Sequence, residues 1–391
     1  MRKVLFLLLP VAVPLWSGCV LGKSAVLVAV SPDGERVAYQ WVDVVYAGAP
    51  VVPIGVLPAS QYLYWCDIDD PGRQRSVRTY ATLGMAIGFP SAVGIHPSLG
   101  LAFSSDSRRA VSGTSAELRV IDLETGRDLR LSREGEAITG FAWSSANAIV
   151  YSTQPTEPPS DGPRGADDPP ITSTTRFWMQ DIANGDTRLE LFSAELNHVG
   201  PGGTAVGQQL SFSPTGQWVI YRTGGEDGRL MLRSLDGRHE FDVGDSDQGG
   251  LRFAWKADGS AAVVIEQGWG PGGRPRVAML RTDPPGKVEM DQNLGAMLTS
   301  LADQEILTWT PDGQHLVAGE YLVGLRDASR VSVGDALRDH VDPASYDPIR
   351  LFPLGRPGWL YGQGPDMKWY AADYAGKRFV EIGRASLGGA P

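Results

Sequence analysis

The sequence is poor in the residues that build metal centres and nucleophilic sites. Histidine occurs five times, at His96, His198, His239, His315 and His340. None stands in the HxH, HxxxH or HExxH spacing that turns two imidazoles toward one ion, so each reads as a surface or structural residue. No GxSxG elbow is present. The glycine-rich stretches Gly200 to Gly203 and Gly270 to Gly273 lack the lysine and the strand-to-helix setting of a phosphate loop. Asp67 to Gly72 carries three aspartates, but Pro71 takes a ligand position of a calcium loop and no glutamate follows at the right distance. It reads as a hairpin turn. Asp167 and Asp168 sit in a Pro/Gly/Asp-rich stretch where burial cannot tune their pKa values. No catalytic residue, metal or cofactor is therefore assigned.

Basic residues are also short, with 35 Lys and Arg against 45 Asp and Glu for a net charge of −10. Without Arg2 and Lys3 the balance is 33 against 45, a net charge of −12. A surface of that sign repels phosphate backbones, which excludes nucleic acid as a partner.

A helical apolar pattern over 10 or more residues is missing from everything after the first 30 residues, so little helix is expected. The exception is at the start: Arg2 and Lys3, then the apolar Val4 to Trp16, then Ser17-Gly18 before Cys19. The run is too short to span a bilayer and is broken by Pro10 and Pro14, which marks an export signal. The box Leu15-Trp16-Ser17-Gly18-Cys19 resembles the bacterial lipoprotein cleavage site, with Trp16 where leucine is usual. That resemblance implies lipidation of Cys19, an ordinary cleaved signal being the alternative, and Val20 in place of aspartate implies the outer membrane. Cys66 then stands alone on the apolar run Tyr62 to Cys66 and reads as a buried small hydrophobe. A Cys19 to Cys66 disulfide is the runner-up. In neither reading is Cys66 a nucleophile.

What the chain does have is turns, with 48 glycines and 28 prolines. Leu210 to Arg222, LSFSPTGQWVIYR, is two alternating runs around Ser213-Pro214-Thr215-Gly216 and predicts a β-hairpin. The design recurs around Ser31 to Gly34, Ser104 to Ser107, Ser144 to Asn147, Lys256 to Gly259, Thr310 to Gly313 and, weakened, Gly355 to Gly358. A second hairpin follows each copy, among them Val120 to Leu131, Met179 to Leu191, Leu232 to Val243, Met279 to Met290 and Ala372 to Ile382. Each repeat supplies four strands at a period of ~40 to 50 residues, the signature of a propeller blade. The expected fold is all-β, a single β-propeller of four-stranded antiparallel blades, seven in number, over residues 25–386. Residues 1–18 are the signal, 19–24 a tether and 387–391 a tail. First and last blades are expected to meet by side-chain packing, with no strand crossing the seam.

In a blade, the turns after strands one and three lie on one face of the disc and the connections after strands two and four on the other. The tight turns all fall on the first face. The insertions Val44 to Ser60, Gly84 to Ser98, Gln154 to Thr175, Asn197 to Gly207, Gly268 to Pro275 and Arg338 to Arg350 fall on the second. Gln154 to Thr175 has almost nothing to bury and reads as a flap or disordered loop. Val44 to Ser60, with Tyr46, is apolar and proline-rich and reads as packing on a neighbouring blade or on a partner. Trp269 with Arg274 and Arg276 has the composition of an interface anchor.

The strand-turn pattern in AVSPDGERVAY, LSFSPTGQWVIY and WTPDGQHLVA resembles the repeat of TolB-like β-propellers, shared by periplasmic propellers and the propeller domains of prolyl-oligopeptidase-type peptidases. It covers nearly all of residues 25–386. An α/β-hydrolase half is not expected after the last repeat, nor an α/β domain before the first. The sialidase aspartate box and the WD-repeat dipeptides are absent. The resemblance implies binding in many settings rather than one chemistry.

The expected function is a non-enzymatic binding or scaffold lipoprotein of the bacterial cell envelope, monomeric or part of a hetero-assembly, taking a protein or glycan on its loop-rich face. Tyr46, Trp269, Arg274, Arg276, Asp303, Asp342 and Arg350 are the candidate binding residues. The alternative is a propeller lactonase or glycan-processing enzyme with Asp303, Asp342 and Arg350 converging at the channel mouth.

Overall fold

In the computed structural model the described residues are 20–33, 35–49, 52–67, 70–80, 98–114, 117–156, 171–183, 187–198, 209–225, 228–246, 251–266, 276–290, 292–301, 307–310, 312–318, 321–333, 350–353, 359–363, 368–373 and 379–384. They form an all-β ring of four-stranded antiparallel blades in which every sheet follows chain order from the channel outward. Five consecutive blades run from Ser98 to Ser332. They comprise β5 (Ser98–Phe103) to β8 (Asp128–Arg130), β9 (Glu136–Ser145) to β12 (Arg188–Asn197), β13 (Leu210–Phe212) to β16 (Glu240–Asp245), β17 (Leu251–Trp255) to β20 (Pro285–Glu289), and β21 (Leu307–Trp309) to β24 (Arg330–Ser332). A four-stranded sheet precedes them, β1 (Val20–Val30), β2 (Arg36–Ala49), β3 (Val52–Asp67) and β4 (Asp70–Tyr80), and another follows, β25 (Arg350–Pro353) to β28 (Phe379–Arg384). The first and last of these sheets lie beside each other, β1 against β25 and β4 against β28, and share no strand.

The core is divided among the junctions between blades, because a sheet sandwiched between two neighbours must be apolar on both faces. The second strands show this most clearly. In β18 (Ala261–Glu266), AAVVIE, all six residues are buried, whereas the outermost β16 has none buried. One junction joins Val111, Leu118 and Val120 to Ile138, Trp143 and Tyr151. The next joins Val150, Phe177 and Leu196 to Leu210, Val219 and Tyr221, and the third joins Ile220 and Leu232 to Leu251, Ala262 and Val264. Two tryptophans at the ends of first strands bond across junctions, Trp143 Nε1 donating to the Ala102 carbonyl at 3.1 Å and Trp309 Nε1 to that of Ala254 at 2.7 Å.

The repeated turn is explained by one local hydrogen-bond box. In Ser104 to Arg109 the Ser104 hydroxyl donates to Asp106 Oδ1 (2.5 Å) and accepts from the Arg109 amide (3.0 Å), while the Asp106 carboxylate accepts from the Arg108 amide (3.1 Å). Thr310 with Asp312, Gln314 and His315 repeats it, as does Ser234 with Asp236, Arg238 and His239. The hydroxyl and the aspartate serve the backbone of their own turn, so the motif is structural. The last turn residue takes a left-handed φ, 59° at Gly216, 71° at Gly259, 63° at Gly313 and 58° at Ser107. The turns also touch around the ring. Arg36 Nη1 donates to the Ser107 carbonyl at 3.0 Å, and Arg109 Nη1 to the Ala146 carbonyl at 2.8 Å.

These boxes carry a pH dependence. At Asp236 the Ser234 hydroxyl, then the Arg238 amide, hold the carboxyl below its ordinary 3.8, and at Asp122 the Thr125 amide leads. At Asp106 burial pushes upward, but the Ser104 hydroxyl and the Arg108 amide more than offset it. Carboxyls lowered on folding stabilise the fold above 3.8 and lose that contribution as pH falls through their folded values. The urea midpoint, followed by circular dichroism across a pH series, is expected to drop below pH 3.8. Asp106→Asn is expected to make that drop shallower.

Four features differ from the sequence expectation. The segment Val44 to Ser60 is no loop: β2 and β3 pair continuously from Arg36↔Asp67 to Ala49↔Val52. Two register shifts, at Asp43/Val44 and Ala47/Gly48, set Pro58 and Pro53 at irregularities, where a missing amide breaks no regular ladder bond. Strand β1 begins at Val20 rather than Ala25, its first five residues pairing with β2. Ser144 to Asn147 is a shorter turn than its relatives, since Ser145 already pairs with Ala148. A helix, α1 (Gln292–Leu301), follows β20 and seals the junction between Val263 and Leu316 with Leu294 and Leu298.

Candidate functional site

The face opposite the tight turns is framed by the ends of the second strands and the starts of the third. Sequence dictates what lies there, because three of the second strands close on a polar residue: STQ at Ser152 to Gln154, VIYR at Val219 to Arg222 and VVIE at Val263 to Glu266. All three terminal side chains are buried: Gln154 is 2%, Arg222 4% and Glu266 7% exposed.

Gln154 is a clamp. Its side-chain amide donates to Thr175 Oγ1 at 2.8 Å and to the Asn197 carbonyl at 3.0 Å, while Asn197 Oδ1 accepts the Gly225 amide of the next blade at 3.0 Å. Gly224 donates to the Glu195 carbonyl at 2.8 Å and lies so close that an added Cβ would stand 2.8 Å from the Leu196 backbone. Beside it His198 Nδ1 lies 3.2 Å from the Ser173 hydroxyl, and burial pushes the imidazole below its ordinary value, so the ring is neutral at pH 7.

The next junction holds a charge pair. Alternation along the strands carries Ile220 to Arg222 and Val264 to Glu266, so both end the apolar layer between β14 (Trp218–Arg222) and β18 on its loop-rich side. Ser246 Oγ donates to Glu266 Oε1 at 2.6 Å, and the Ser246 amide holds the Gly228 carbonyl at 2.9 Å. Burial pushes the Arg222 guanidinium down, and the field of Glu266 acts against it. Arg276, exposed at the start of β19 (Arg276–Thr282), pairs in register with Glu266, which sets both side chains on one face of the blade. Arg222, Glu266, Ser246 and Arg276 therefore make one corner, a buried cation and carboxylate beside an exposed guanidinium. Such a set can orient a carboxylate, an amide or a sugar hydroxyl.

Of the residues singled out in the sequence, Arg276 is the one placed here. Tyr46 lies in the first sheet opposite Val20 and Val56, and Arg350 begins β25 opposite Gln363, so these three stand on different blades. Trp269, Arg274, Asp303, Asp342 and the lipidation candidate Cys19 lie outside the described residues, as do residues 81–97, 157–170 and 334–349 of the insertions. Cys66 is buried, 6% exposed. Arg222, Glu266 and Ser246 were missed. Their signal was a single charge closing an apolar strand, read as the strand's end and not as a partner for another blade.

Among the described residues no group of three or more His, Cys, Asp and Glu could hold a metal ion. Among them no helix is long and apolar enough to cross a membrane.

No known family profile and no curated protein matches this chain. Among solved structures the chain is similar to an acylaminoacyl peptidase of Pyrococcus horikoshii, at 10% identity and a TM-score of 0.52. The match covers 94% of this chain and 53% of the peptidase, so the chain spans about half of that protein's length. At that identity the likeness is one of fold alone.

Proposed function

We propose that this chain is a seven-bladed, TolB-like propeller held to the bacterial envelope by lipid on Cys19, and that it binds a protein or glycan on its loop-rich face without catalysing a reaction. The seven-blade count is supported by the two outer sheets, each four-stranded and in mutual contact, flanking the five central blades. The observation that carries the binding role is the asymmetry of the disc. On one side the turns are short, boxed by their own hydroxyls and bonded to one another. On the other the long connections after Gln154, Asn197 and Glu266 leave from polar side chains clamped across strands or blades. Rigid edges carrying variable loops are how scaffolds present recognition surfaces.

The test is affinity capture from an envelope extract with the chain from Val20 onward. It is compared with two variants, one with residues 268–274 replaced by a short Gly-Ser turn and Arg276→Ala, the other with Glu124→Ala and Arg238→Ala on the tight-turn face. A partner kept by the second and lost by the first is the expected result. Equal capture by all three would remove the loop-rich face from the function.

A further inference from the structure

We infer that the paired ends of β2 and β3 form a finger that rests in the interfacial layer of a lipid bilayer, beside the lipid on Cys19, and so turns the loop-rich face of the disc toward the membrane. The inference rests on the proposed lipidation of Cys19 for its geometry, and on an independent feature of the chain for its chemistry.

That feature is charge. From Val44 to Cys66, 23 consecutive residues, there is no Asp, Glu, Lys, Arg or His. Residues 81–95, which follow β4, carry none either. A hairpin alternates its side chains between two faces, and one standing in water keeps at least one face polar. Here Val44-Val45-Tyr46-Ala47-Gly48-Ala49 on one strand and Val52-Pro53-Ile54-Gly55-Val56-Leu57 on the other leave neither face with a charge or an amide. The flanking pair Lys23↔Asp43 marks where polar composition resumes.

The register supplies the second link. Val20 is held opposite Tyr46, so the chain passes from Cys19 directly into β1 at the level where the finger leaves the rest of the sheet. Beyond that level β2 pairs, among the described residues, with β3 alone, from Ala47↔Gly55 to Ala49↔Val52, and the described β4 ends at Gln61↔Tyr80. The two signals therefore emerge at the same place, on the side of the disc where second strands end. Length decides how deep the finger goes. Three residues beyond Tyr46 at ~3.4 Å each reach about 10 Å, far short of the ~30 Å hydrocarbon core and matched to the ~5–10 Å depth of the headgroup and upper acyl layer. At that depth water and headgroups still serve the unpaired strand edges, which hydrocarbon would leave unsatisfied.

The experiment uses the full chain made with its own leader, with a fluorophore on Ala49→Cys at the finger or on Glu124→Cys at the tight-turn face. It is placed on vesicles of phosphatidylethanolamine and phosphatidylglycerol bearing a nitroxide on the acyl chain. The mass of the N-terminal peptide reports acylation of Cys19 separately, and a Cys19→Ala chain is run beside it. Quenching at position 49 several-fold above that at 124 is expected, and Val45→Glu with Val56→Glu is expected to abolish the difference while acylation persists. Acylated Cys19 with equal quenching at both positions would overturn the inference and leave the anchor standing. Selective quenching in the Cys19→Ala chain would support the finger independently of the anchor, and an unmodified Cys19 in the N-terminal peptide of the parent would remove the anchor reading alone. A finger that docks on an envelope protein instead would stay unquenched on pure lipid, and so also overturn it.

Discussion

Replacing Gly216 by alanine is expected to destabilise the protein by about 2–5 kcal/mol, while the same change at Gly237 costs only about 1–2 kcal/mol. Both glycines end tight turns on the same face and both have left-handed backbones, φ 59° and 74°. A left-handed L-residue alone costs roughly 1–2 kcal/mol, so φ does not separate them. Space does. A Cβ on Gly237 meets nothing within 4 Å, whereas one on Gly216 would stand 2.6 Å from Ser144 Cα and 2.6 Å from the Trp143 carbonyl oxygen of the preceding blade. That obstacle is backbone, pinned in turn by the bond from the Trp143 indole to Ala102. It cannot swing aside as a side chain could, and overpacking of this kind adds about 1–3 kcal/mol. Gly259, whose Cβ would meet the Thr215 side chain, is expected to fall between the two. Urea midpoints for the three alanine variants check the order. Equal losses at Gly216 and Gly237 would mean that the turns do not bear on neighbouring blades.

How far the sequence could be read follows from the range of the interactions involved. The Ser-x-Asp-Gly turns were legible because their box closes within six residues, and in Ser234 to His239 the hydroxyl, carboxylate and glycine are all in that window. Blade spacing followed from the turns. The finger of the first sheet was misread as a loop because Pro50, Pro53 and Pro58 argue against a strand, and only the pairing shows that Pro53 and Pro58 sit at register shifts. Helix α1 was illegible for a different reason. Its buried stripe is essentially Leu294 and Leu298, one turn apart, with Gly295 between them, too short for a periodicity to stand out. At the candidate site Arg276 was found through its loop, but its companions were not. Arg222 and Glu266 are 44 residues apart and reach one junction only because two blades stack.

That pair gives the last expected result. Glu266→Ala is expected to cost about 1–3 kcal/mol, because it removes the carboxylate whose field acts against the desolvation of the buried Arg222 guanidinium, and with it the acceptor of the Ser246 hydroxyl. Arg222→Met should cost less, because the Ser246 hydroxyl continues to donate to the carboxylate. The double change Arg222→Met with Glu266→Met extends the apolar layer of Ile220, Leu251 and Val264 to its end, and is expected to restore stability to within ~1 kcal/mol of the parent. Urea unfolding of the four proteins closes the cycle. Equal and additive losses would show that the two charges do not meet in the fold. Restored stability in the double variant also separates two roles for the corner. The two buried charges are then dispensable for folding, since an apolar plug of similar size serves the junction as well. For the proposed binding on the loop-rich face, the double variant is then the protein in which to measure what the charges contribute, folded as the parent is and stripped of them.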